Sequence, residues 1–331
     1  MKLDFTHHQS AHCENGVISN LLKHHGYPIS EPMAFGIGSG LFFVYLPFLK
    51  VNLAPAVSFR PMPGLIFKRF CKRLGIKVNR KKFRTPKKAT MALDQMLAND
   101  KPVGLQVGVY NLTYFPEEYK FHFNAHNLIV YGKEQGDYLI SDPVMETKTV
   151  LTAKELELVR FAKGALAPRG HMYYPSDFPE ELPLKKAIVK AIKSTCNDML
   201  APVPIVGVKG IRMVAKAIKK WPHRIGVKKT NHYLGQIIRM QEEIGTGGGG
   251  FRFIYGAFLQ EASEVLGKPV LLEFSTEITM IGDLWRDFAL DASRLYKNRS
   301  SEFDGYTKLS EKLMIIADKE ERFFKNLKKS L

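Results

Sequence analysis

The chain has 331 residues, 45% of them hydrophobic and 24% charged, with 49 lysines and arginines against 32 acids, for a formal net charge of +17. This is the composition of a globular protein of one to three domains with a large core. No window reaches the roughly 18 apolar residues of a membrane span, and the opening Met-Lys-Leu-Asp-Phe-Thr-His-His carries no signal-like apolar run, so the cytoplasm is the expected compartment. Cys13, Cys71 and Cys196, odd in number and far apart, argue against a disulfide framework and a zinc ribbon. The charge favours a polyanionic partner: nucleic acid, an anionic membrane or an acidic protein.

The first element runs from His12 to Gly26. Val17, Ile18, Leu21 and Leu22 repeat at helical spacing, and Gly26 suits the left-handed position after the last turn. Cys13 then stands at the helix N-terminus, where free N–H groups and the dipole favour a thiolate. Taken alone, it is either a nucleophile or a small buried residue. Ser30 and Pro32 open a short helix, Glu31–Phe35. The turn Gly36-Ile-Gly-Ser-Gly40 leads to a strand over Leu41–Leu46; it lacks the Lys-Ser/Thr of a P-loop. A basic helix covers 64–75. Ile76–Lys88 reads as a connector, and from Lys68 to Lys88 there are eleven basic residues and no acid. A helix over Ala89–Ala98 and a strand over Pro102–Val109 follow.

Two strands, His126–Gly132 and Asp137–Asp142, flank the turn Lys133–Gly136. A register centred on Glu134 sets His126 opposite Asp142, with Cβ atoms roughly 5 Å apart; a bulge at Gly136 slips this by one residue. The proline-rich stretch Pro168–Pro183 reads as the domain linker. Beyond it, helical periodicity covers Leu184–Leu200, Val208–Lys220, Asn231–Ile244, Phe251–Leu266, Thr276–Lys297 and Phe303–Lys328.

Cys13, His126 and Asp142 supply a thiol, an imidazole and a carboxylate in the order of papain-like enzymes, which suffices for acyl transfer. The Cys13 N–H is a natural oxyanion donor and Gln9 a candidate second one. No metal is expected, since His8, His12 and Cys13 lack a clear fourth ligand. The Gly245–Gly250 run is either a substrate-approach loop, with Gly247, Gly248, Phe251 and Arg252 as candidate binding residues, or a flexible helix connector. Cys71 and Cys196 fall in amphipathic helices and read as structural.

His12-Cys13-Glu14-Asn15-Gly16, Gly26, Ser30-Glu31 and Gly36-Ile-Gly-Ser-Gly40 resemble the N-terminal domain of the butirosin biosynthesis protein H family. Gly245-Thr-Gly-Gly-Gly-Gly-Phe-Arg-Phe-Ile-Tyr-Gly256 resembles the helical domain that accompanies it. The resemblance implies an α+β protein. Residues 1–175 would form a papain-like domain with an antiparallel sheet, similar to the peptidases that trim double-glycine leaders, and residues 176–331 a mostly α-helical domain. In those peptidases a cysteine, a histidine opening a strand and the aspartate of an Asp-Pro pair form the triad, which Cys13, His126 and Asp142-Pro143 match. Gln9 stands nearer to Cys13 than the peptidases' oxyanion glutamine does.

The family's founding activity is acyl transfer from an acyl carrier protein to an aminoglycoside amine, and relatives occur in other biosynthetic clusters. The resemblance thus implies a carrier-dependent acyltransferase with no bound cofactor, the acyl group arriving on the carrier's phosphopantetheine arm, and a small-molecule amine or hydroxyl as acceptor. Acyl carrier proteins are acidic, which gives the charge a use. Candidate docking residues are Lys68, Arg69, Lys72 and Arg73, or Lys216, Lys219 and Lys220. Nucleic acid is not expected, because no zinc-finger or RNA-recognition signature is present. A cysteine peptidase or amidohydrolase with the same triad, and a non-catalytic basic binding module, are the alternative readings. Sequence leaves the acyl chain, the acceptor and the oligomeric state open.

Overall fold

The computed structural model describes residues 2–297 and 304–331. In chain order its elements are α1 (Cys13–His24), α2 (Glu31–Ile37), β1 (Val44–Val51), β2 (Ala54–Ser58), α3 (Leu65–Leu74), β3 (Lys77–Lys81), α4 (Pro86–Ala98), β4 (Val103–Val107), β5 (His126–Glu134), β6 (Asp137–Ser141), β7 (Thr149–Leu151), α5 (Ala153–Arg160) and β8 (Met172–Asp177). Then follow α6 (Leu184–Met199), α7 (Gly207–Ile225), α8 (Val227–Ile238), α9 (Arg252–Leu266), α10 (Val270–Tyr296) and α11 (Asp304–Lys329). The protein is α+β with antiparallel sheets, and its C-terminal part is mostly helical. Phe303, the expected start of the last helix, lies outside the described residues.

Local chemistry explains the boundaries. At the end of α1, Gly26 (φ 83°) lets its N–H reach Lys23 O while Tyr27 N–H reaches Leu22 O, the paired bonds of a Schellman stop. Ser30 Oγ caps α2 by accepting from Met33 N–H. Thr85 caps α4 with Pro86 in the first turn, and Thr152 with Glu155 forms a capping box on α5.

The chain divides into two compact units, and neither is contiguous. The first comprises Met1–Ala34 and Phe70–Leu182, the second Phe35–Arg69 and Pro183–Leu331, so the divisions fall inside α2 and α3. This corrects the expected boundary at 175 and the linker at Pro168–Pro183. That stretch contains β8, which sits between β3 and β4 in a six-stranded sheet of order β3-β8-β4-β5-β6-β7. Pro175 lies within β8 opposite Val78, beside the register shift between Lys77 and Val78, where a missing donor is tolerated, and the other prolines flank the strand. The expected connector Ile76–Lys88 holds β3, an edge strand whose Lys77, Arg80 and Lys81 suit an exposed edge. In the first unit, Val103, Leu105, Val107, Leu128, Val130, Tyr138 and Ile140 present one sheet face to α4 and α5, forming its main core; α1 packs on β5.

The β5–β6 register differs from expectation. The turn is the pair Gln135-Gly136, both at positive φ, which pairs Glu134 with Asp137 and Gly132 with Leu139. Continued unchanged, that register would put His126 and Asp142 on opposite faces. A bulge at Tyr131 then shifts the pairing to Val130 with Ile140 and Ile129 with Ser141. The one-residue shift returns His126 and Asp142 to a shared face, as diagonal neighbours rather than directly opposed residues. The extra residue's carbonyl is satisfied by Leu3 N–H at 3.2 Å.

The second unit holds the β1–β2 hairpin and helices α6–α11, with α7 packed on α11 and α9 on α10. The hairpin replaces the single strand expected at Leu41–Leu46. Its turn residues Asn52 and Leu53 lie at positive φ without the usual glycine, which hid the turn from sequence.

Candidate functional site

Cys13 is the first residue of α1 and is 7% exposed. The N-cap residue His12 makes no side-chain capping bond to the helix. Order comes instead from Glu31, whose carboxylate accepts from Ala11 N–H at 2.9 Å and His12 N–H at 2.8 Å. Burial raises the Glu31 carboxyl above its ordinary range, while the two N–H donors pull the other way. One turn into the helix, a Cβ on Gly16 would stand 2.3 Å from Pro143 Cβ, so only glycine lets α1 approach the Asp142-Pro143 segment this closely. Ser10 N–H donates to Pro143 O and ties the incoming chain to the same segment.

His126 opens β5 and Asp142 follows β6. His126 Nε2 donates to Asp142 Oδ2 at 2.7 Å, and both side chains are buried. Tyr114, in the long β4–β5 loop, donates its hydroxyl to the same oxygen at 2.7 Å, and Val144 N–H donates to Oδ1 at 3.2 Å. Phe115 meets the imidazole edge-on at 5.3 Å. Burial, the largest single influence on His126, lowers its pKa; the charges of Asp142 and Cys13 and hydrogen bonds to both outweigh it and raise the value to about 10. With Nε2 committed to Asp142, Nδ1 is left for Cys13. Tyr114 is pushed well above its ordinary range, first by burial and then by Asp142, so it remains a neutral donor.

The structure therefore brings Cys13, His126 and Asp142 together. Gln9, the candidate second oxyanion donor, is exposed in the irregular segment before α1. The glycine run is neither an open cradle nor a loose connector. Gly245, Gly247, Gly248, Gly249 and Gly250 all have positive φ, and the loop uses its own donors: Gly248 N–H reaches Thr246 Oγ1 and Gly249 N–H reaches Glu242.

Phe251 and Arg252 are corrected from substrate contacts to core residues of the second unit. Phe251 stacks on Phe35 at 5.1 Å. Arg252 is fully buried, donates from Nε and Nη2 to Glu320 at 2.9 and 3.0 Å and from Nη1 to Gly250 O, and lies against Phe59 and Trp285. A buried guanidinium needs such a partner.

Among the basic residues, Lys68, Lys72, Lys216, Lys219 and Lys220 are exposed, whereas Arg69 pairs with Asp198 at 3.3 Å and donates to Ser39 O. Lys216 and Lys220 line a cavity of about 330 Å³ with Tyr45, Pro47 and Trp221. Lys219 and Lys220 line one of about 650 Å³ with His223, Arg224 and Asp304. Cys71 and Cys196 are buried, and burial pushes both thiols up to about 12, out of reach of ordinary nucleophilic chemistry. No group of three or more metal-ligating side chains occurs among the described residues, and no helix there is long and apolar enough to cross a membrane.

Sequence reasoning missed four residues around this site: Glu31, Tyr114, Asn127 and Tyr173. Asn127 donates Nδ2 to Cys13 Sγ at 3.9 Å, and Tyr173 donates its hydroxyl to Asn127 Oδ1 at 2.8 Å. Only Asn127 carried a signal, as a polar residue at a strand position where the neighbouring pattern is apolar.

Two family models match the chain in tandem. Residues 12–143 match butirosin biosynthesis protein H, N-terminal, and residues 154–327 match a domain of unknown function, DUF4872. Among curated proteins none matches the chain. Among solved structures, a C39-like peptidase from Bacillus anthracis aligns with 54% of this chain and 100% of its own, at 13% identity and a TM-score of 0.36. The chain thus belongs to the DUF4872 family and carries, in front of that domain, an N-terminal domain of the butirosin biosynthesis protein H family.

Proposed function

We propose that this protein is a cysteine-dependent acyltransferase of specialised-metabolite biosynthesis. It takes an acyl group from the thioester of an acidic acyl carrier protein and passes it, through an acyl-enzyme on Cys13, to an amine or hydroxyl of a small-molecule acceptor. The observation that carries the reading is the buried His126–Asp142 hydrogen bond beside Cys13 at the start of α1. The raised pKa of His126 supports an imidazolium–thiolate pair, since a positive charge favours a neighbouring anion. The family named for a biosynthesis protein supports the metabolic setting.

In the first step the Cys13 thiolate attacks the thioester carbonyl, and the Cys13 N–H and helix dipole stabilise the oxyanion. The carbonyl carbon's bond to the carrier sulfur breaks, and that sulfur leaves with the proton of His126. In the second step the neutral imidazole takes a proton from the acceptor amine or hydroxyl as it attacks the acyl-enzyme. The Cys13 thiolate is expelled and the imidazolium is restored. Asp142 holds the imidazole in one tautomer throughout, and the small exposure of Cys13 limits hydrolysis of the acyl-enzyme. Exposed lysines on α3 and α7 are the candidate carrier-docking groups.

Intact-mass spectrometry after mixing with an acyl-carrier thioester, without acceptor, tests the reading. The expected result is one acyl adduct on the wild type and none on Cys13→Ala. Absence of an adduct on the wild type overturns the transferase, and an adduct persisting in Cys13→Ala removes that residue as nucleophile. Release of free acid from a peptide or amide with no carrier present would favour a cysteine peptidase or amidohydrolase built on the same three residues.

A further inference from the structure

Successive residues of a strand face opposite sides of its sheet. His126 shares the side of Leu128 and Val130, which pack with α4 and α5, and Asn127 takes the other side. Yet both reach the same sulfur. Asn127 uses its whole amide: Nδ2 donates to Cys13 Sγ at 3.9 Å and to Ala125 O at 3.2 Å, and Oδ1 accepts the Tyr173 hydroxyl at 2.8 Å. A flipped amide would set Oδ1 against the Ala125 carbonyl and Nδ2 against a hydroxyl donor, so the network fixes which end faces the sulfur. Tyr173 arrives from β8, where its ring lies across Gly104; a Cβ there would stand 2.4 Å from Tyr173 Cε2. Asn127 and Tyr173 are both buried, which strengthens bonds between them.

We propose that Asn127 is a further catalytic residue of this site, donating to the Cys13 thiolate, and that Tyr173 is its positioning residue. The sulfur is then held from both sides of β5: by the Asp142–His126 pair on one face and by the Tyr173–Asn127 pair on the other. A hydrogen bond to an anion is stronger than one to the neutral thiol, so the Asn127 amide favours the reactive form and fixes its direction of attack. Tyr173 is kept well above its ordinary range, first by burial and then by Glu14 and Cys13, so it stays a donor while the thiol titrates. The inference rests on the reading of Cys13 as nucleophile and extends it to what holds the sulfur.

The test is the pH profile of Cys13 alkylation by iodoacetamide, with the label assigned by peptide mass, in wild type, Asn127→Leu and Tyr173→Phe. Asn127→Leu alters none of the titratable groups around the sulfur, namely His126 and its partner Asp142, Glu14 and Tyr173. Tyr173→Phe removes a single oxygen and keeps the question open to measurement should Asn127→Leu not fold. The expected result is a midpoint raised by about one pH unit, with labelling slowed about tenfold at pH values below both midpoints. Cys71 and Cys196, at about 12, contribute little background. A midpoint unchanged or lowered in either folded variant overturns the proposal. Alkylation needs no acyl donor, so a shifted midpoint without any acyl adduct on the wild type would keep this inference and remove the transferase.

Discussion

Asp142 Oδ2 accepts from both His126 Nε2 and the Tyr114 hydroxyl, each at 2.7 Å, in a pocket without solvent exposure. Two donors on one carboxylate oxygen aim the imidazole, and the raised pKa of His126 makes its positive charge part of the folded state. That has a pH consequence. The folded His126 titrates near 10 against 6.5 in an unfolded chain, so its stabilisation is fully present below about 6.5 and is lost as pH rises through 10. Thermal melts are therefore expected to fall across that window, and His126→Gln is expected to flatten the fall. An equal slope in the variant would place the dependence on another group.

Positioning of the proposed catalytic groups is a property of whole elements. Helix α1 carries Cys13 to the end of the sheet because Gly16 allows contact with Pro143, and a Tyr131 bulge in β5 brings His126 and Asp142 onto one face. Gly16→Ala inserts a methyl group 2.3 Å from Pro143 Cβ. The clash cannot be relieved by a side-chain rotation, since the obstacle is a proline ring. A loss of about 1–3 kcal/mol in denaturant unfolding is expected, together with slower Cys13 acylation, because α1 must move away from Asp142. Normal acylation in a destabilised Gly16→Ala protein would separate the packing of α1 from the chemistry.

At the scale of the molecule, the net charge of +17 sets how partners approach. The α7 face combines exposed Lys216, Lys219 and Lys220 with two adjoining cavities, an arrangement suited to an acidic partner. Replacing the three lysines with glutamate is expected to reduce kcat/KM for an acyl-carrier thioester about tenfold at low salt and to leave the rate with a small, carrier-free thioester unchanged. High salt should erase the difference. Equal losses with both donors would assign the face to folding rather than to docking. The second unit holds a different charge pattern, the buried Arg252–Glu320 pair, in which each group neutralises the other away from water.

Local periodicity and end signals made these helices legible, because a helix is specified by residues three or four apart and by its caps: α1 with Gly26, the body of α4 from Ala89 and helices α6 to α11 follow from the chain alone, whereas the Thr85–Pro86 start of α4 reads as connector. The residue types of the site were legible too, since a thiol, an imidazole and a carboxylate before proline stand out against their surroundings. What joins them was not. The β5–β6 pairing turns on one extra residue, and nothing near Tyr131 marks it as bulged. Strand β8 hid in a proline-rich stretch because an extended segment needs partners from elsewhere in the chain to become a strand. Glu31 and Tyr173 lie 18 and 160 positions from Cys13, and Tyr114 lies 28 from Asp142, and only folding brings such residues together. Sequence determined the elements and the reactive groups; tertiary structure decided the register, the division of the chain and the second set of hydrogen bonds to Cys13, since all three depend on contacts between residues remote in the chain.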